Sequence, residues 1–203
     1  MVNSGAPPAD TVDSPHQEPR LPPGQVLTDK WPVLHYGSVP TVDLATWDFS
    51  VYGLVEHPLR WTWAEFQALP RVQVRSDIHC VTRWSRYDNL WQGVSAKELL
   101  RHARVRPEAR HAIVHAEQGF TANLPLASLY DEDVLLADTH DGKPLTPEHG
   151  WPLRLVVPRR YFWKSAKWCR SIEVTAGDQP GFWERNGYHN EADPWKEERF
   201  SDW

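Results

Sequence analysis

The chain has 203 residues, which is enough for one domain with a sizeable core and short terminal extensions. It carries 22 basic and 27 acidic residues, a net charge of −5, so neither nucleic acid nor an anionic membrane is an expected partner. Only two cysteines are present, Cys80 and Cys169, too few for a disulfide framework or an iron–sulfur cluster. We expect both cysteines to be reduced.

The first thirty residues are rich in proline, serine and aspartate and contain few large apolar side chains. This composition predicts a flexible N-terminal arm over residues 1–30. The N-terminus lacks the basic start and apolar run of a secretory signal, and no stretch is long and apolar enough to span a membrane. We therefore expect a cytoplasmic protein.

Alternation of apolar and polar residues predicts many short strands, around 47–55, 72–75, 112–116, 120–124, 134–137, 153–157 and 171–174. Two segments with capping-box spacing, 62–65 and 95–98, predict short helices over 63–69 and 96–104. Strands and helices do not alternate regularly, and no glycine-rich phosphate loop is present, which argues against a nucleotide-binding fold. The pattern by itself predicts an α+β fold.

Cys80 follows the strand predicted over 72–75 and opens a polar loop that contains Arg83. A nearby arginine favours the thiolate, which is the form that binds soft metals. The local residues leave open whether Cys80 is reactive or metal-bound, or a small buried apolar side chain. A further alternative is a zinc or haem site, although the spacing matches no regular zinc motif. In that alternative Cys80 is joined by one or more histidines: His79, His35 or His149.

Two separated segments resemble a known family. Residues 78–85 (IHCVTRWS), followed by 91–94 (WQGV), resemble the molybdenum-cysteine segment of the sulfite oxidase family. Residues 149–158 (HGWPLRLVVP) and 164–168 (KSAKW) resemble the pterin-phosphate segment of that family. The resemblance extends over about 31–200 and is closest to small stand-alone members related to the bacterial methionine sulfoxide reductase catalytic subunit. It implies the sulfite oxidase molybdopterin-binding fold, with mixed sheets and short helices.

The resemblance implies a molybdenum–molybdopterin cofactor, expected without an added nucleotide, and two-electron oxygen-atom transfer on a small S-oxide, N-oxide or oxyanion. Cys80 would ligate the metal as a thiolate. Ammonium and hydroxyl groups suit the phosphate of the cofactor. The cofactor-binding residues implied are His35, Tyr36, Gly37, Cys80, Thr82, Arg83, His149, Arg154, Lys164, Ser165 and Lys167.

The substrate side leaves two alternatives. Arg83 and Arg86 flank the Cys80 loop and are expected, with Cys80, to be the catalytic residues, because sulfite oxidases bind their anion in an arginine-rich pocket. Trp84 and Trp91 would instead suit a neutral or apolar oxide. The sequence does not decide between oxidation of an anion and reduction of a sulfoxide or N-oxide.

The predicted organisation has three parts: a flexible arm over 1–30, a molybdopterin-binding catalytic domain over 31–176, and a C-terminal tail over 177–203 that wraps the same domain. No segment resembles the haem domain or the dimerisation domain of sulfite oxidase. We therefore expect electrons to be exchanged with a separate flavin or haem protein, and we expect a monomer. The alternative function is a non-catalytic pterin-binding or redox-partner module of the same fold.

Overall fold

A computed structural model describes residues 11–201 of the chain. Within them lie short strands and two short α-helices, α1 (Trp63–Gln67) and α2 (Ala96–Ala103). The strands are β1 (Thr11–Asp13), β2 (Val26–Leu27), β3 (Asp48–Gly53), β4 (Leu59–Thr62), β5 (Val72–His79), β6 (Trp84–Ser95), β7 (His111–Ala116), β8 (Thr121–Pro125), β9 (Leu135–His140), β10 (Lys143–Pro144), β11 (Arg154–Val156) and β12 (Cys169–Thr175). The predicted α+β class, with mixed sheets and short helices, is confirmed.

The first sheet has the strand order β1-β5-β6-β9-β10, with β2 paired to β6 and β11 paired to β9. Its centre is the long antiparallel pair of β5 and β6, which joins Val72 to Gly93 at one end and His79 to Ser85 at the other. The turn of this hairpin contains Cys80. The sheet therefore fixes both chain segments that flank the thiol.

The second sheet has the order β4-β3-β12-β7-β8, in which β12 is parallel to β3 and antiparallel to β7. The main core packs around this sheet and α2, whose buried residues are Ala96, Leu99, Leu100 and Ala103. A smaller cluster around Trp91 covers the first sheet. The segments 78–85 and 149–158 thus both include strands of the first sheet, β5 with β6 and β11.

The two predicted capping boxes have different outcomes. At α1 the box is confirmed, since Thr62 and Glu65 exchange side-chain and backbone hydrogen bonds. At α2 it is wrong, because the Ser95 side chain makes no capping bond. Ser95 is the last residue of β6 and pairs with Leu135, so the helix begins directly from a strand.

Residues 11–30 lie against the first sheet, which differs from the expectation of a flexible arm. Strand β1 runs parallel to β5, and β2 runs parallel to the start of β6. Arg20 adds two hydrogen bonds of 2.7 Å to the carboxylate of Asp77. These strands have only two or three residues and no apolar run, so composition could not reveal them. The rest of the predicted arm, residues 1–10, lies outside the described residues.

The tail from residue 177 to 201 crosses the second sheet and then reaches the N-terminal segment. Phe182 donates its backbone N–H to Thr121 at 2.8 Å, which ties the tail to β8. Trp195 donates its indole N–H to the Pro19 carbonyl at 2.8 Å. The two ends of the described chain therefore meet on the side of the molecule that carries Cys80.

Candidate active site

A cavity of about 400 Å³ opens between the β5–β6 turn, the loop after residue 31, the turn at 117–120, the segment 162–168 and the tail. It contains most of the residues that the sequence predicted to bind a cofactor. These are His35, Tyr36, Gly37, Cys80, Thr82, His149, Arg154, Ser165 and Lys167. The two sequence segments that carry the family resemblance therefore meet at one site.

Cys80 is held in the cavity wall by a tight turn. Its N–H donates to the Trp84 carbonyl at 2.9 Å, and its carbonyl accepts from the N–H of Arg83, which has a φ of 74°. The Sγ atom lies 3.1 Å from Thr82 Oγ1. Burial raises the pKa of the thiol, whereas the contact with Thr82 and the charge of Arg199 lower it. The geometry presents a soft ligand atom at the edge of the cavity.

Arg154 is a cation that is 1% exposed and lines the same cavity. It donates from Nη1 to the His149 carbonyl and from Nη2 to the Ser165 carbonyl, each at 2.9 Å. Its guanidinium carbon lies 4.2 Å from the centre of the Phe162 ring, and its Nε has no partner. Burial lowers the pKa of Arg154 to about 9. Among the described residues no carboxylate forms an ion pair with this guanidinium. A buried cation of this kind normally needs an anion.

Lys167 is a second cation of the cavity wall that is held by a neutral group. Its Nζ donates to the Glu148 carbonyl at 2.7 Å. Burial, followed by the charge of Arg154, lowers the pKa of Lys167 to about 7. A Cβ on Gly150 would lie 3.1 Å from the Cβ atoms of both Arg154 and Lys167, and Gly150 has a φ of 110°. Glycine therefore lets the two cationic residues pack on the same turn.

His149 lies beside these cations and stacks on Trp31, with 3.8 Å between ring centroids. Its Nδ1 is 3.0 Å from Thr146 Oγ1, and burial lowers the pKa of the ring. Its Nε2 lies 3.4 Å from the Trp31 carbonyl, so stacking and two polar contacts fix the ring in the cavity wall.

The loop 35–37 closes one side of the cavity. His35 Nδ1 lies 3.0 Å from the Gly37 carbonyl, and Gly37 has a φ of 74°. Tyr36 is 67% exposed and packs on Phe182 of the tail, with 4.9 Å between ring centroids. Gln118 donates to Ser38 at 3.2 Å from the opposite wall. The loop thus spans the mouth between two other segments.

Lys164 does not reach the cavity, contrary to the expectation that it binds phosphate. It is completely buried, and its Nζ lies 2.6 Å from Glu184 Oε1 and 2.9 Å from two oxygens of Asn123. These partners already satisfy its charge and its donors. Lys164 ends a single 3₁₀ turn, Phe162–Lys164, and its side chain leaves on the side opposite to Ser165.

Arg83 and Arg86 also lie away from the cavity lining. Arg83 is exposed and its guanidinium lies beside Gly24. Arg86 pairs with Asp141 at 2.6 Å and contacts His140 at 3.1 Å on the first sheet. The predicted arginine-rich substrate pocket is therefore not formed by these two residues.

Aromatic residues form much of the lining that the site prediction did not name. They are Trp31, Trp84, Phe120, Phe162, Trp163, Trp168, Phe182, Trp183 and Tyr188. Of the two tryptophans considered for a neutral substrate, Trp84 lines the cavity, whereas Trp91 is buried behind Trp31. For the three of these residues in the tail, Phe182, Trp183 and Tyr188, the aromatic content of that segment was a sequence signal.

The zinc site of the alternative interpretation finds no ligand set in residues 11–201. These residues contain no group of three or more His, Cys, Asp or Glu side chains that could hold a metal ion. His79 instead makes a 2.9 Å contact with Ser85 and packs on Trp195. Over the same part of the chain, no helix is both long and apolar enough to cross a membrane.

The fold brings two cationic side chains, Arg154 and Lys167, and a single thiol, Cys80, to one cavity. Comparison with known sequences gives the family: the chain belongs to the family described as "Oxidoreductase molybdopterin binding domain", whose model matches residues 36–183. The predicted membership of the sulfite oxidase family is thereby confirmed. The family indicates a molybdenum–molybdopterin cofactor and places the chain among molybdenum oxidoreductases.

Characterised and uncharacterised relatives agree with this assignment. The chain is 53% identical to the uncharacterized oxidoreductase YuiH of Bacillus subtilis, over 91% of this chain and 94% of that protein. It is 28% identical to the putative protein-methionine-sulfoxide reductase subunit YedZ1 of Azospira oryzae, over 86% of this chain and 68% of that protein. A rice protein named nitrate reductase [NADH] 1 is 26% identical, and the matched region is 20% of its length.

A solved structure shows the same fold. The sulfane dehydrogenase SoxCD from Paracoccus pantotrophus superposes with a TM-score of 0.66 at 23% sequence identity. The match covers 75% of this chain and 43% of that chain, so this protein spans less than half of its structural neighbour. The predicted sulfite oxidase fold is confirmed.

Proposed function

We propose that this chain is a molybdopterin-dependent oxidoreductase that transfers an oxygen atom to or from a small substrate, with molybdenum ligated by Cys80. One observation carries the proposal. The Cys80 thiol faces the same 400 Å³ cavity as Arg154 and Lys167, two cations with no carboxylate partner among residues 11–201. A soft ligand and an anion site at one cavity are what this cofactor requires.

The cationic wall fits the phosphate of molybdopterin. Arg154 retains an unused Nε donor in a fully buried environment, and Lys167 retains two of its three N–H donors. A phosphate would supply the negative charge that the buried guanidinium lacks. Ser165 adds a hydroxyl, and its Oγ is fixed because it accepts the Val157 N–H at 2.9 Å. His149 and the loop 35–37 would contact the ring edges of the pterin.

Cys80 fits the metal-ligand role although burial raises its pKa. Binding to a metal requires the thiolate and stabilises it, so an elevated thiol pKa does not oppose ligation. The hydroxyl of Thr82, 3.1 Å from Sγ, can donate to the sulfur and orient it. When bound, the cofactor supplies the two-electron oxygen-atom chemistry, and the protein positions the substrate and keeps water out.

The lining favours a neutral S-oxide or N-oxide as substrate over an oxyanion. The only lysine and arginine side chains that line the cavity in the described chain are Lys167 and Arg154, which the phosphate would occupy. The remaining wall near Cys80 is aromatic, with Trp84 and Tyr188 among its members. The putative sulfoxide reductase subunit among the relatives gives independent support to a sulfoxide.

Reduction of such an oxide takes up two electrons and two protons and releases water. Residues 11–201 contain no group of three or more His, Cys, Asp or Glu side chains that could hold a redox metal, and two cysteines are too few for an iron–sulfur centre. We therefore propose that electrons come from a separate flavin or haem protein.

The test is to purify the protein from a host that makes the cofactor and to measure molybdenum and pterin per chain. Turnover is then followed with a reduced dye as electron donor for dimethyl sulfoxide or trimethylamine N-oxide, and with an oxidised dye as electron acceptor for sulfite. We expect one molybdenum and one pterin, no released guanine or cytosine, and turnover of the neutral oxides. Bound cofactor without turnover of any substrate would support the non-catalytic module instead. Zinc or iron without pterin would contradict the proposal.

A further inference from the structure

Arg199 is a third buried cation, and it lies behind the Cys80 loop rather than in the cavity. It is 5% exposed, although the residues around it in the tail are mostly accessible. Its Nη1 donates to the Val81 carbonyl at 2.7 Å, one residue beyond the thiol. Its guanidinium carbon lies 4.9 Å from the centre of the Tyr161 ring. The tail therefore places a positive charge directly under the turn that carries Cys80.

The same guanidinium also reaches the N-terminal segment. Its Nη2 lies 3.3 Å from the Pro23 carbonyl and 3.5 Å from the Gly24 carbonyl. Gly24 has a φ of 66°, which favours glycine, and a Cβ there would lie 2.5 Å from Glu197 Oε1, 2.9 Å from Arg83 Nη1 and 3.2 Å from this Nη2. Arg199 thus joins the tail, the segment around residue 24 and the Cys80 loop.

The N-terminal segment is itself bonded to the Cys80 loop. Gln25 donates from Nε2 to the Cys80 carbonyl at 3.0 Å. The N–H of Val26 donates to the Arg83 carbonyl at 2.9 Å. Every backbone carbonyl from Cys80, Val81 and Arg83 therefore has a partner from one of the two chain ends or from the turn itself.

The charge of Arg199 is only weakly compensated. Among residues 11–201, the one carboxylate that pairs with it is Glu197, whose Oε1 is 3.6 Å from Nη2 and whose side chain is 47% exposed. Exposed partners are screened by water, and a separation of 3.6 Å is too long for a strong charge-assisted hydrogen bond. A net positive charge therefore remains on the buried side of the loop.

We infer that Arg199 is a positioning residue, which clasps the Cys80 loop to the N-terminal segment and keeps a positive charge beside the Cys80 sulfur. The inference rests on the proposed function, because the charge affects chemistry only if Cys80 ligates the metal. A fixed positive charge beside a metal ligand favours the more electron-rich state of the site. Arg199 would thus raise the reduction potential of the bound metal without touching substrate or cofactor.

Two variants separate the clasp from the charge. Arg199→Gln removes the charge and the bidentate geometry, whereas Arg199→Lys keeps the charge but cannot reach both chain segments at once. Arg185→Gln is the matched control, since Arg185 lies in the same tail but donates to the Pro180 carbonyl within the tail. Backbone amide exchange is measured on the full chain as purified, and the midpoint potential of molybdenum is measured on loaded protein.

We expect amide exchange at 80–85 and 24–28 to become several-fold faster in both Arg199 variants and to stay unchanged in β7. We expect the potential to become more negative in Arg199→Gln and to stay near the wild-type value in Arg199→Lys and in Arg185→Gln. Unchanged exchange in both Arg199 variants would overturn the clasp, whether or not the protein binds molybdenum. Equal potentials in the wild type and Arg199→Gln would overturn the electrostatic role. If the wild-type protein bound no molybdenum, the proposed function would be contradicted. Amide exchange in the Arg199 variants would still test whether Arg199 holds the Cys80 loop to the N-terminal segment.

Discussion

Lys164 and Glu184 form an ion pair inside the protein, with 2.6 Å between Nζ and Oε1 and side chains that are 0% and 3% exposed. The indole N–H of Trp163 donates to the same carboxylate oxygen at 2.8 Å. Asn123 of β8 completes the coordination of the ammonium group. This pair fixes the tail to the body of the domain, directly behind the cavity wall that contains Ser165 and Lys167.

Replacing Lys164 with methionine should destabilise the fold, because the Glu184 carboxylate would remain buried without its cation. Breaking one partner of a buried ion pair costs about 3–5 kcal/mol. We expect a loss of this size in the free energy of unfolding, measured by urea denaturation. The double variant Lys164→Met with Glu184→Leu should recover a large part of it. If the single variant were as stable as the wild type, the pair would have no structural role.

Lys167, three residues further on, should affect cofactor retention instead. A hydrogen bond to a charged group contributes about 1.5–3 kcal/mol, so Lys167→Met should lower the affinity for the pterin by about one to two orders of magnitude. Dialysis of loaded protein followed by pterin fluorescence measures this loss. Lys167→Arg is the matched control and should retain the cofactor, since it keeps the cation.

Retention should also depend on pH through Lys167. With burial and Arg154 lowering its pKa to about 7, Lys167 is mostly neutral above pH 7 in the unloaded protein, and binding of an anion must restore its proton. Affinity for the cofactor should therefore fall as the pH rises from 7 to 9. Between pH 7 and 8 the slope should disappear in Lys167→Arg, whose side chain stays charged, whereas the part near pH 9 should remain because Arg154 has a pKa of about 9. A slope between pH 7 and 8 that persisted in that variant would assign the pH dependence to another group.

His140 should make the protein sensitive to acid. It packs between Trp31 and Trp91, and its neighbours are Arg86, Asp141, Arg154 and His149. Burial, the largest effect, lowers its pKa to about 4. Because the folded pKa lies below the unfolded value of 6.5, the stabilisation is complete above pH 6.5 and is lost as the pH falls through 4. Over this whole pH range the free energy of unfolding should fall by about 3 kcal/mol through His140. Urea titrations at pH 7 and pH 4.5 should show a smaller loss in His140→Gln than in the wild type.

The aromatic tail should control the substrate and leave the cofactor unchanged. Trp183 lines the cavity mouth and packs on Phe182 and Tyr188, with centroid distances of 5.1 and 4.8 Å. Trp183→Ala should raise the KM for aryl or dialkyl sulfoxides about tenfold, since truncation of an enclosed aromatic side chain removes apolar contact area. Pterin content should stay at the wild-type level. Tyr130→Ala, an exposed aromatic residue outside the lining, is the control. An unchanged KM would show that the substrate does not contact the tail.

The sequence was most informative where residue type determines chemistry. Cys80, Arg154 and Lys167 were identified before the fold was considered, because a thiol and closely spaced cations in two ordered segments carry the resemblance to the family. The seven strands predicted from apolar runs and alternation all have counterparts in the sheets, but β4 and the central strand β6 were missed, because β6 contains a run of polar and aromatic residues that was predicted as a loop.

The sequence was least informative where a residue's role depends on the direction of its side chain or on contacts with residues far away in the chain. Lys164 and Lys167 are chemically identical, and only the 3₁₀ turn at Phe162–Lys164 sends one into the core and the other to the cavity. Strands of two or three residues, such as β2, give no periodic signal. Arg199 was missed because its role depends on contacts with residues 176 and 118 positions away.

Ligation of molybdenum by Cys80 is the central claim, and X-ray absorption at the molybdenum edge tests it most directly. The loaded wild type and Cys169→Ala, which removes the other thiol, should each show three sulfur ligands: two from the pterin dithiolene and one from Cys80. Cys80→Ser should show two sulfur ligands and lose turnover while keeping its pterin. Three sulfur ligands in Cys80→Ser, or two in the wild type, would contradict the assignment.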